Sequence, residues 1–132
     1  VIHLILMNKK KNRPRYLNLI KISMPVAAVV SIGHRISGFL LVIAIPFLIY
    51  AFQLSVSSAE EYAHVIAFAE QPVSIVIIAL LVWSFSHHLF AGIRFLLIDI
   101  DIGVSKTAAS NSAWLIHGLA GLTTILVVGA LL

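Results

Sequence analysis

Three stretches without a charged side chain, residues 36–59, 71–93 and 107–132, set the pattern of this chain. Each exceeds the roughly 20 residues with which an α-helix crosses a bilayer. The pattern therefore predicts an all-α protein, an integral membrane bundle of three transmembrane helices. Start and stop signals place the helices at about 23–54, 72–100 and 110–132. Ser23 serves the first as N-cap, with Pro25 in the first turn, where a missing amide hydrogen costs nothing. Pro46 bends that helix further along, as membrane helices tolerate. Pro72 opens the second, Gly103 is available as the stop behind it, and Ser110 or Asn111 caps the third. Between the first two spans, SSAEEYAHVIAF suits a short amphipathic helix on the membrane surface, with His64 solvated.

The remaining residues form a 1–22 arm ahead of a 23–132 transmembrane domain, and charge sets their orientation. Lys9, Lys10, Lys11, Arg13, Arg15 and Lys21 precede the first span, whereas the loop after it holds Glu60, Glu61 and Glu70 with no Lys or Arg. By the positive-inside rule the N-terminus and the 99–110 loop are cytoplasmic, and the 55–70 loop and the C-terminus lie outside. The arm then reads as solvated or as a binder of lipid phosphates, so the net charge of +4 does not point to nucleic acid. Arg13-Pro14 disfavours helix there and predicts extended chain to about Ser23. VIHLIL before the lysines reverses the order of a signal peptide, which makes Met7 the expected start. The lack of an Arg- and Ser-rich transit segment favours a bacterial cytoplasmic (inner) membrane over a mitochondrion.

Composition narrows the chemistry. With 132 residues, 61% of them hydrophobic and 11% charged, three spans leave no chain for a soluble catalytic domain. Zero cysteines exclude thiolate ligation of an iron–sulfur cluster and covalent attachment of a c-type haem. A haem held here is b-type.

Residues 87–101, HHLFAGIRFLLIDID, carry the ionisable groups that are costly within a membrane and are functional candidates for that reason. Helical spacing aligns His88, Gly92, Phe95 and Asp99 on one face, and His87, Ala91, Arg94 and Ile98 on the next. Imidazole is an axial haem ligand, Gly92 leaves room beside His88 for a flat macrocycle, and Arg94 offers a cation to a propionate. The competing reading is close helix packing over Gly92, with the histidines bonded to a neighbouring helix. Adjacent residues point about 100° apart, so only one of His87 and His88 faces a haem. In the first span SIGHRISG puts Ser31, Arg35 and Gly38 on one face, with His34 and Ser37 beside it. Arg35 lies about 15 Å beyond Pro25 and either meets an anion or polar ligand or snorkels to the headgroups. His88 lies about 16 Å from Asp99, a similar depth in an antiparallel helix, so one polar pocket can draw on both. His117, about 10 Å into the third helix, is a rival ligand or a structural residue. Trp83 reads as packing.

Arg13-Pro14, SIGHRISG, His88 followed after three intervening residues by Gly92-Ile93-Arg94, Asp99 and three spans, in this order, resemble the larger, cytochrome b-type membrane-anchor subunits of succinate dehydrogenase (Complex II, succinate:quinone oxidoreductase). The resemblance covers the chain from Arg13 onward. It implies that His88 is the axial ligand of a haem b shared with a second small membrane-anchor subunit, which supplies the other ligand. It also implies that Ser31 and Arg35 line a ubiquinone site, and that His34 and Arg35 lie near the haem propionates. Implied partners are a flavoprotein subunit and an iron–sulfur subunit, which hold the FAD and the clusters. Many relatives carry a second histidine after Gly-Ile-Arg, where this chain has Phe95. Other readings stay open from the residues: a fumarate reductase anchor, a cofactor-free structural anchor, and a small proton-conducting transporter subunit using Arg35, His88 and His117. Against the last, no span carries a carboxylate and no inverted repeat is visible.

Overall fold

The computed structural model describes residues 24–131, and among these the chain forms four helices: α1 (Val26–Ser57), α2 (Ala59–Ala69), α3 (Pro72–Asp99) and α4 (Lys106–Leu131). The basic arm, the Arg13-Pro14 step and the Ser23 cap lie outside the described residues. Three of the helices, α1, α3 and α4, are long and apolar enough to cross a membrane, in agreement with the pattern of uncharged runs.

Local chemistry explains each boundary. Pro25 occupies the cap position of α1 in an extended conformation, and its carbonyl accepts from the Ala28 amide at 2.8 Å. The helix continues through Pro46 to Ser57, three residues past the predicted end, and a single extended residue, Ser58, joins it to α2. The Ser58 hydroxyl accepts from the Glu61 amide at 3.1 Å, and Glu60 and Glu61 sit in the first turn, where carboxylates complement the helix dipole. Pro72 is the first residue of α3, as its fixed φ favours.

At the far end of α3 the chain departs from expectation. The Ile102 amide donates to the Leu97 carbonyl at 2.9 Å and the Asp101 amide to the Ile98 carbonyl at 3.0 Å, the two bonds of a Schellman cap. The left-handed residue in that cap is Asp101, at φ 61°, two positions before Gly103, which is also left-handed. The third long helix begins at Lys106 because Ser105 caps it first: its hydroxyl accepts from the Ala108 amide at 3.2 Å and its carbonyl from the Ala109 amide at 2.8 Å. Ser110 and Asn111 lie inside α4.

Packing places α3 between α1 and α4, with α2 resting against α1. Most of the buried contacts are made by small residues. Ser37, Ala44, Ser74, Ser84, Ser86, Ala91, Ala113 and Ala120 are buried, while Phe39, Phe47, Phe52, Phe85 and Ile125 face outward. In lipid no hydrophobic force drives large apolar side chains inward, so close backbone approach over small residues decides the interface. Val30, Ala91, Ala113 and Ile116 form the core, with Val26, Phe90 and Phe95 packed on it.

Candidate functional site

The site begins with two glycines on α1, each of which seats one of the adjacent histidines of α3. A Cβ on Gly38 would stand 2.9 Å from Cε1 of His88, and one on Gly33 would stand 2.7 Å from Cε1 of His87. Neither distance is compatible with a side chain there, so both imidazoles lie against bare α1 backbone. Their surroundings then diverge, as the 100° between neighbouring helical positions requires.

The His88 ring is half-buried and stacks on His34, with ring centres 4.0 Å apart and planes 10° from parallel. Nδ1 of His88 lies 3.0 Å from the His34 carbonyl oxygen. A carbonyl oxygen only accepts, so Nδ1 carries the proton and Nε2 keeps a bare lone pair. The Ser37 hydroxyl donates to the same carbonyl at 3.0 Å and stands 3.4 Å from Nδ1. A backbone carbonyl that fixes one ring nitrogen as a donor and leaves the other free to coordinate is the usual support of a metal-bound histidine. The donor set at His88 therefore fits an axial haem ligand.

The His87 ring is fully buried and, among the described residues, makes no hydrogen bond through either nitrogen. Its neighbours are Trp83 and His117, with ring centres at 5.2 and 5.3 Å, and the nearby buried Ser84 hydroxyl is also unpartnered. This imidazole faces the core and His88 does not.

The structure brings His34, His88 and Gly92 together and sends Arg94 elsewhere. A Cβ on Gly92 would meet Nε2 of His34 at 3.5 Å, so the space that glycine opens is taken by the His34 ring. Phe95 meets His34 edge-on, with centres 5.2 Å apart and planes at 84°. Arg94 is 8% exposed and turned toward α4, where Nε donates to the Ser112 hydroxyl at 2.9 Å and an Nη to the Ala109 carbonyl at 3.2 Å. Ser31 is half-buried on α1 and Arg35 is exposed. The contact between His34 and His88 agrees with the depth counting, which set the two levels within a turn of each other.

Sequence reasoning missed Gly33, Ser84, Ala109 and Ser112. A signal existed for the last two: a cation inside an apolar helix needs acceptors, and the first turns of the following span are where an antiparallel neighbour supplies them. For Gly33 the signal was weaker, since it needs the phase of α1 relative to α3.

Comparison with known proteins adds to this geometry. Residues 9–128 match the family described as succinate dehydrogenase/fumarate reductase transmembrane subunit. The chain is also 34% identical over 121 residues to the succinate dehydrogenase cytochrome b556 subunit of Coxiella burnetii (strain RSA 493 / Nine Mile phase I), an alignment covering 91% of this chain and 95% of that protein.

Proposed function

The chain belongs to the succinate dehydrogenase/fumarate reductase transmembrane subunit family, and we propose on that premise that it is the haem-bearing membrane anchor of a succinate:quinone oxidoreductase. Membership displaces the transporter reading. The observation that carries the proposal is the His88 ring, whose Nδ1–H is held by the His34 carbonyl at 3.0 Å, which leaves Nε2 as the acceptor nitrogen, without a hydrogen-bond partner among the described residues.

In this reading Nε2 of His88 would hold the iron of a haem b, together with a ligand from a second small anchor subunit. The bound haem supplies reversible one-electron storage at its iron. A second subunit would close the site over the His34–His88 pair, which this chain leaves half-buried. Gly38 lets the Cε1–Nδ1 edge of the ligand ring come close to α1, and the His34 carbonyl fixes its tautomer. His34 and Arg35 make up the pocket and propionate environment; Gly92 serves it by making room for the His34 ring, and Arg94, bound to Ser112 and Ala109 on the α4 side, is corrected from a propionate partner to a helix contact. Nearer the Pro25 end, the Ser31 hydroxyl donates to a carbonyl oxygen of ubiquinone, and Arg35 places positive charge where that oxygen gains negative charge. A flavoprotein and an iron–sulfur subunit deliver the electrons from succinate and dock at the cytoplasmic face of a bacterial inner membrane. The basic arm and the N-terminus lie on that side, by the charge asymmetry.

An absorption spectrum of the detergent-purified complex, taken before and after succinate, tests the reading. A low-spin b-type haem reduced by succinate is the expected result, with loss of that signal in His88→Ala. Persistence of the signal in His88→Ala, or a complex with neither haem nor a copurifying flavoprotein, overturns it. A fumarate reductase anchor is the second reading, because the family spans both reactions; the relative rates of succinate oxidation and fumarate reduction by the complex separate the two.

A further inference from the structure

An unbroken run of contacts crosses the bundle from α4 to His88. Its first member is the Arg94 guanidinium, held by the Ser112 hydroxyl at 2.9 Å and the Ala109 carbonyl at 3.2 Å, while Ser112 itself donates to that carbonyl at 3.3 Å. The guanidinium carbon lies 5.6 Å from the centre of the Phe95 ring. Phe95 in turn sets its edge to His34 at 5.2 Å, and His34 stacks on His88 at 4.0 Å. Arg94 and Phe95 are consecutive on α3, so one faces α4 and the other α1. Every joint has a defined geometry, from two bonds on one fork through an edge-on contact at 84° to a stack at 10°.

We propose that Arg94 and Phe95 are positioning residues for the haem ligand: Arg94 pins this part of α3 to the start of α4, and Phe95 holds the His34 ring flat against His88. Three features support this over a generic helix staple. Phe95 meets the edge of the His34–His88 stack from α3, where Gly92 offers the His34 ring no side chain. The His34 residue supplies both the stacked ring and the carbonyl that orients His88, so a displaced His34 disturbs the ligand twice. The Arg94 fork also uses two acceptors in fixed directions, which a lysine cannot reproduce.

The inference rests on the reading of His88 as a haem ligand, and its test is arranged so that the two fail separately. In the purified complex, Phe95→Leu removes the aromatic edge at similar volume and Phe95→Tyr restores it. The readouts are haem retained on dilution and the low-spin electron paramagnetic resonance signal, whose anisotropy depends on the orientation of the ligand ring. Phe95→Leu is expected to weaken haem retention by about ten-fold, the lower end for residues that orient a metal ligand, and to shift the low-spin signal. Phe95→Tyr is expected to restore both. Ser112→Ala, which touches neither histidine, is expected to give a smaller shift in the same direction, and it carries the test if Phe95→Leu does not assemble. Unchanged signal and retention in Phe95→Leu and Ser112→Ala, with the signal lost in His88→Ala, overturn the inference and leave the haem reading standing. A signal that survives His88→Ala overturns the reading itself.

Discussion

Two identical side chains one position apart have opposite surroundings, and the cause lies in what α1 offers each. Gly38 and the His34 carbonyl give His88 a seat and a partner for Nδ1. Gly33 gives His87 a seat, and among the described residues the ring has no hydrogen-bond partner and packs against Trp83 and His117. At Gly33 the space is already full. Gly33→Ala is expected to destabilise the bundle by about 1–3 kcal/mol, the range for overpacking, seen as a lower thermal midpoint of the purified complex. His87→Ala in the same chain is expected to recover part of the loss, because residues in contact do not behave additively. Purely additive effects would show that the two do not meet. The sequence carried the 100° divergence of the two histidines but could not say which faced inward. Phasing a helix needs one face more polar than another, and in α3 Leu, Ile and Phe occur on every side.

At the scale of an element, helix ends were legible where one signal stood alone and obscure where two competed. Pro72 and the amphipathic run after Ser58 had no rivals, and the structure has helices at both. Ser105 and Ser110 were both capable caps; Ser105 prevails because Thr107, Ala108 and Ala109 continue the helix without a break. Gly103 suggested the stop after α3, but the Schellman bonds close around Asp101 instead. Asp tolerates the left-handed region better than most residues, yet less well than Gly. Asp101→Gly is therefore expected to stabilise this corner by less than the roughly 1–2 kcal/mol that the left-handed region costs an L-residue, because the entropy glycine loses on folding offsets part of the relief, measured as a raised thermal midpoint with unchanged haem content. A lower midpoint would mean that the Asp101 carboxylate makes a contact worth more than the relieved strain.

Across the whole molecule the distribution of size is the reverse of a water-soluble core, and this reverses the ordinary rules of substitution. Ala113 and Ala120 are fully buried on the α3 side of α4, whereas Leu122 and Ile125 on the same helix are 53% and 71% exposed. Three spans were legible because uncharged length alone reports them. The order of packing was not, because alanine and serine in a membrane helix carry no signal that distinguishes a contact from a lipid-facing gap. Trimming an outward leucine removes area that faces lipid in both the packed and the separated state, so Leu122→Ala is expected to move the thermal midpoint hardly at all. Ala120→Leu adds volume where backbones are close and pushes α4 away from α3, at about 1–3 kcal/mol. It also strains the Arg94 fork to Ser112 and Ala109, about two and three turns along the same helix. Thermal midpoint and haem content of the two variants check this together. Equal sensitivity at the two positions would mean that the outward face of α4 is covered in the assembled complex, with Leu122 inside a protein interface and not against lipid.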